Sequence, residues 1–148
     1  MLRLSKFADY GCQVMAYMAR DKAVHSATEV AANLGMAAAT VSKILKMLAR
    51  ENLVVSLLGA KGGYVLARHP LEISVAEIIN AMDGPISITE CSGTTSCERE
   101  SFCSTRGNWQ GINHIIQDAL AKVTLAEMIA PKPQIVNMRA IRSRGVPA

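Results

Sequence analysis

Ser26-Ala-Thr-Glu-Val-Ala-Ala-Asn-Leu-Gly35-Met-Ala-Ala-Ala-Thr40-Val-Ser-Lys-Ile-Leu-Lys-Met-Leu-Ala-Arg50 is the stretch that decides the fold. Ser26 and Glu29 have capping-box spacing, in which a hydroxyl and a carboxylate each satisfy an orphan backbone N–H. A short helix is expected from Thr28 to Leu34, stopped by Gly35, which takes the left-handed conformation at little cost. A second helix is expected from Ala38 to Arg50, with Val41, Ile44, Leu45 and Leu48 as its buried stripe. The pair meets the needs of a helix-turn-helix. Ala31 is small where the helices cross, Gly35 makes the turn, and Val41 and Ile44 anchor the second helix. Val30, Leu34 and Met36 fill the remaining core positions.

Downstream, Leu53–Leu57 and Tyr64–Ala67 read as strands joined by Leu58-Gly-Ala-Lys-Gly-Gly63. This hairpin, with Lys61 at its tip, extends the motif to a winged helix. Residues 5–20 read as a further helix with Phe7, Tyr10, Val14, Tyr17 and Met18 on its apolar face. A stripe of small residues, Ala8, Cys12 and Ala19, runs beside that face. Ile73 to Met82 reads as a short amphipathic helix ended by Asp83-Gly84-Pro85. Residues 86–106 lack periodicity. One long helix is then expected from Gly107 to Ala130, carrying Trp109, Ile112, Ile115, Ile116, Leu120 and Val123, before Pro131 and Pro133. The expected division is a winged-helix unit over 1–83, a cysteine loop over 84–106, a helix over 107–130 and a basic, disordered tail over 131–148. The fold class is mainly α with a small β-wing.

The chain has 148 residues, half of them hydrophobic and only 4% aromatic, which favours a helical core over a β-sandwich. The longest run without Asp, Glu, Lys or Arg is Val30 to Ser42, too short and too polar for the roughly 20 apolar residues of a membrane span. A soluble, cytoplasmic protein is expected. The net charge of +4 is unevenly spread. Residues 37–70 hold Lys43, Lys46, Arg50, Lys61 and Arg68 against Glu51 alone, and 131–148 hold Lys132, Arg139, Arg142 and Arg144 with no acid. Such patches suit a polyanion. On the outer side of the second motif helix, Thr40, Ser42, Lys43 and Lys46 are the candidates for a DNA major groove, and Arg50 and Lys61 for phosphates. No Ser/His/Asp arrangement, phosphate-binding glycine loop or paired carboxylates points to an enzyme, and no small-molecule substrate is expected.

Cys91, Cys97 and Cys103 recur at equal intervals within the irregular segment. A disulfide leaves one thiol over, and their spacing is not the Cys-x-x-Cys of many zinc sites. Loose spacing suits the wider perimeter of an iron–sulfur cluster, while zinc and metal-free redox-active thiols remain open. Cys12 reads as a buried, inert thiol. His25 and His69 read as solvated, His114 as a surface or packing residue and Trp109 as a packing anchor.

The start through Asp9, the winged helix, the Gly59-Ala-Lys-Gly-Gly-Tyr64 wing and the cysteine loop together resemble a bacterial family of winged-helix iron–sulfur regulators, the IscR/NsrR-like proteins. Asp83-Gly-Pro-Ile, Thr89-Glu-Cys91 and Arg106-Gly-Asn-Trp109 look most like its SUF-system assembly-regulator branch. The resemblance implies a homodimeric transcription factor on double-stranded operator DNA, dimerised through the long helix. It also implies an iron–sulfur cluster on Cys91, Cys97 and Cys103 that sets DNA affinity, a 2Fe–2S cluster being favoured over a 4Fe–4S one. One branch places a His three residues after its last cysteine, where this chain has Arg106, which is no ordinary ligand. In another branch an acidic residue ligates the cluster. Asp9 stands at the matching position and would act from the same or the partner subunit. Leu58 stands where many members carry an Arg before the wing glycine.

Overall fold

The computed structural model describes residues 3–93, 98 and 100–131. The expected tail beyond Pro131 and the Cys97 position lie outside the described residues. The order is α1 (Lys6–Met18), α2 (Ala27–Leu34), α3 (Ala38–Arg50), β1 (Val54–Leu57), β2 (Gly63–Leu66), α4 (Val75–Asp83), α5 (Arg106–Lys122) and α6 (Leu125–Ile129). Short 3-10 turns at Pro70–Glu72, Glu90–Ser92 and Glu100–Phe102 fill the connections. Local chemistry explains most of the boundaries. The Ser5, Ser26, Ser74 and Thr124 hydroxyls each accept a first-turn N–H at the start of α1, α2, α4 and α6. Gly35 closes α2 at φ 64°. Strands β1 and β2 pair antiparallel, Val54 opposite Leu66 through Leu57 opposite Gly63.

The core is built where α1, α3 and α4 meet. Val14, Met15, Ile44, Leu45, Leu48 and Ile78 are fully buried there. The buried face of helix α1 is only partly the one its apolar spacing suggests. Val14 and Met18 are buried as expected, joined by Ala8, Gly11, Cys12 and Met15, whereas Phe7, Tyr10 and Tyr17 only flank the core. The reason is close packing. A Cβ placed on Gly11 would lie 2.7 Å from Met82 Cγ and 2.9 Å from its Sδ, so the small-residue stripe is what lets α1 meet α4.

The expected single helix over Gly107–Ala130 is two helices. Helix α5 ends at Lys122, Val123 turns extended, and Thr124 caps α6 in a full capping box with Glu127. The break is stabilised by backbone pairing with the start of α4. Val75 N–H donates to Val123 O (2.9 Å), and Leu125 N–H to Ile73 O (2.8 Å). Leu125 is 1% exposed in the winged-helix core. The expected apolar stripe of α5 is divided accordingly. Leu120 packs toward the core, whereas Trp109, Ile112 and Ile115 are uncovered. No helix among the described residues is long and apolar enough to cross a membrane.

Candidate nucleic-acid interface and cysteine segment

Helix α3 is fixed from beneath by Val41, Ile44, Leu45 and Leu48, and this sets its opposite side outward. Lys43, Lys46 and Arg50 are exposed there, and Thr40 and Ser42 are half-buried. The Lys43 ammonium lies 5.1 Å from the centroid of the Phe7 ring, so α1 restrains one of the outer cations. Lys61 is exposed in the β1–β2 turn, and beside it Leu58 is 98% exposed. Arg68, a further cation of this region, is committed elsewhere. It donates to Glu77 Oε1 (2.7 Å) and to Glu72 O (2.8 Å). The outward positive charge therefore lies on α3 and the wing tip.

The sequence reading missed the role of His25, expected to be solvated and found 4% exposed. Its backbone exchanges two hydrogen bonds with Tyr64 of β2, so the α1–α2 connection pins the wing (2.9 and 2.8 Å). Its ring stands edge-on to Tyr17, with Nε2 2.9 Å from Asp21 Oδ1 and Nδ1 2.9 Å from Glu29 Oε1. Only the imidazolium donates to both. Burial opposes that charge, but the hydrogen bonds to Glu29 and Asp21 outweigh it and hold the His25 pKa above its ordinary value. Hydrogen bonding to His25 in turn lowers Glu29, and the Ala23 N–H chiefly lowers Asp21. This arrangement also corrects the expected Ser26–Glu29 box. Ser26 Oγ accepts the Glu29 N–H, but the Glu29 carboxylate serves His25 and Tyr17 instead. The signal in the sequence was the spacing Asp21…His25…Glu29, four residues each way. His69 is exposed, as expected, and caps the Pro70–Glu72 turn through its ring.

The cysteines separate by environment. Cys91, within the Glu90–Ser92 turn, and Cys103, just after the Glu100–Phe102 turn, are half-buried, with their sulfurs 3.3 and 3.4 Å from the hydroxyls of Thr89 and Thr105. Cys12 is buried in α1, and burial, with the Asp9 charge added, pushes its thiol up, which disfavours its thiolate. Asp9 is exposed on α1, its Oδ2 accepting from Gln13 Nε2 at 2.9 Å. His114 is exposed and 3.5 Å from Asp118. Among the described residues, no three His, Cys, Asp or Glu side chains come together to hold a metal. Two accessible soft donors on one short segment still fit thiolate ligation of iron, and within the described chain Asp9 and His114 are not gathered with them.

A second feature absent from the sequence reading is the grip of α5 on the segment before Cys91. Asn113 is 4% exposed. Its Oδ1 accepts the Ile88 N–H (3.1 Å) and its Nδ2 donates to Ile86 O (3.2 Å). Gln117 adds a second donor to Ile86 O (2.8 Å), and Gln110 donates to Cys91 O (3.3 Å).

Comparison with known proteins agrees with this architecture. IscR of Pectobacterium atrosepticum, an HTH-type transcriptional regulator, is 28% identical over 143 residues, covering 93% of this chain and 84% of its own. The HTH-type transcriptional regulator ORF2 of Azotobacter vinelandii is 30% identical over 71% of this chain, and the match spans 64% of that relative's length. Among solved structures, CymR, the global cysteine regulator of B. subtilis, superposes with a TM-score of 0.72 at 27% identity, covering 90% of this chain and 100% of that one. IscR of T. potens gives 0.67 at 26% identity, covering 99% and 94%. The model of the Rrf2 family, described as iron-dependent transcriptional regulators, matches residues 4–131. With its recognition-type helix, its wing and this match across almost all of the described chain, the protein belongs to the Rrf2 family of DNA-binding transcriptional regulators and is not an enzyme.

Proposed function

We propose that the protein is a cytoplasmic, homodimeric regulator whose affinity for double-stranded operator DNA follows the state of an iron–sulfur cluster. Its targets are the genes of iron–sulfur cluster assembly of the SUF type. Cys91, Cys97 and Cys103 would hold the cluster, with Asp9 as fourth ligand from the same or a second copy. The observation that carries the reading is the placement of two accessible thiols on the segment that leads into α5, a helix whose Trp109, Ile112 and Ile115 face is left open. A second copy would cover that face, bringing two α3 helices to half-sites about one turn of DNA, roughly 34 Å, apart. Thr40, Ser42, Lys43 and Lys46 would then face the major groove, and Arg50 and Lys61 the phosphates. A bound cluster supplies a metal–thiolate crosslink that ties the segment down, and its loss removes that tie.

Similarity to the cysteine regulator CymR supports a second reading, in which the same thiols respond by oxidation without metal. Anaerobic purification separates the readings. A cluster gives visible charge-transfer bands with iron and sulfide in stoichiometric yield, lost on replacing Cys91, Cys97 or Cys103 by Ala and shifted by Asp9→Ala. A colourless, iron-free protein whose DNA affinity changes only with oxidant establishes the thiol sensor, and zinc without colour establishes a structural metal.

A further inference from the structure

We propose that Asn113, assisted by Gln110, is the positioning residue that couples the Cys91 segment to α5. This rests on the reading that Cys91 belongs to the sensing site. An extended chain turns the C=O of one residue and the N–H of the residue two further on to the same side. Ile86 and Ile88 present that pair, and the single carboxamide of Asn113 completes both bonds. Gln110, Asn113 and Gln117 are three and four residues apart, so they form one amide stripe along α5. The stripe touches the segment at Ile86, Ile88 and Cys91. Asn113 is the only residue of α5 buried from solvent, and it is polar. Packing does not require an amide at a buried helix position, whereas directional attachment of a backbone does.

The consequence is a direction of transmission. The apolar side chains nearby tolerate sliding, but the four hydrogen bonds fix the register of the segment against α5. A change at Cys91 that shifts its backbone therefore either breaks these bonds or carries α5 with it. Helix α5 presents the open Trp109, Ile112 and Ile115 face, so its displacement alters how a second copy sits and hence the spacing of the two α3 helices.

The test uses the full chain, reduced and stripped of metal, and measures iodoacetamide alkylation of each cysteine by mass spectrometry. Asn113→Leu keeps the volume and removes both bonds. It is expected to speed alkylation of Cys91 about fivefold, the effect of losing about one net hydrogen bond, and to leave Cys103 unchanged. Because Asn113→Leu strands the Ile88 N–H and could unfold the chain, Gln110→Ala provides an exposed second variant. It is expected to speed Cys91 about twofold to threefold at unchanged melting temperature. The coupling is read on an operator selected by the wild type from a random duplex library. The ratio of affinities with and without the cluster, or before and after oxidation, is expected to fall toward one in Asn113→Leu while any visible bands persist. Unchanged Cys91 reactivity in both variants overturns the positioning. Faster Cys91 reactivity with a wild-type affinity ratio overturns the coupling. If wild-type affinity ignores the state of its cysteines, the sensing reading fails and the coupling with it, and alkylation alone decides the positioning.

Discussion

Replacing Leu125 by Ala tests whether the chain beyond α5 belongs to the winged-helix core. Leu125 is 1% exposed, its N–H is bonded to Ile73 O, and it packs in the same cluster as Met15, Ile73 and Ile78. Truncating so enclosed a leucine costs both the transfer free energy of the removed carbons and the cavity left behind, together about 2–5 kcal/mol. The backbone hydrogen bonds from Leu125 to Ile73 O and from Val75 to Val123 O hold the chain in place there, which limits collapse and favours a value of about 3 kcal/mol. For a domain whose total stability is of order 5–15 kcal/mol, that is a large share. With a urea slope of about 1.5 kcal/mol per molar, the unfolding midpoint should fall by about 2 M. The control is Ile115→Ala. Ile115 is 68% exposed, so its removal should cost less than about 0.5 kcal/mol within one chain. If a second copy covers it, the cost appears instead as a midpoint that depends on protein concentration. The assay is circular dichroism against urea at two protein concentrations tenfold apart. A Leu125→Ala midpoint within about 0.3 M of wild type would refute the packing argument, for α6 would then be a solvent-facing appendage.

On a selected operator, Lys61→Ala should lower the log–log salt slope of binding by about 0.9 for each phosphate that is no longer neutralised, read by fluorescence anisotropy across salt. Lys46→Ala should weaken the selected site more than random duplex, and Lys43→Ala should do so less sharply, since its ammonium is shared with Phe7. Gly62→Ala places a Cβ 2.4 Å from Leu57 O and 2.9 Å from Gly59 O, so the turn must open. Operator affinity should fall at least as far as in Lys61→Ala, with thermal stability nearly unchanged. The His25 cluster predicts a pH profile. The raised His25 pKa contributes stability fully below its unfolded value of about 6.5, lost as pH rises through the folded value. The lowered Glu29 and Asp21 contribute above about 4.5 and 3.9 and lose it as pH falls. Stability should therefore peak between about pH 5 and 6.5 and decline on the alkaline side. Thermal melts of His25→Gln across pH should lack that alkaline decline. A parallel decline in the variant would assign it to other groups.

How much of this was legible in sequence differs element by element. The bounds of α3 matched residue for residue because they follow from local signals, an apolar repeat ending at Arg50 and no competing Gly or Pro within it. Gly35 and the glycine-rich wing turn acted the same way. Thr124 and Glu127 carried an equally local capping signal, but the surrounding apolar repeat masked it, since a repeat continues in phase across a break. The α1 face was legible at Val14 and Met18 but not at its aromatic positions, because two faces of that helix carry apolar side chains and only the approach of α4 selects the one small enough to bury.

The site divides in the same way. The sequence alone determined that three thiols share one irregular segment and that a basic helix and wing follow a capped helix and a glycine turn. These are properties of residue type and spacing, which the chain carries in any conformation. Tertiary structure alone decided that Arg68 is spent on Glu77, that His25 lies buried between two carboxylates under the wing, and that Asn113 faces inward to hold the Cys91 segment. The physical reason is common to all three. A polar side chain's role depends on which backbone groups and opposite charges the folded chain brings within reach, whether four residues away, as for His25, or 25 and more, as for Asn113. Burial then makes those partners obligatory rather than optional.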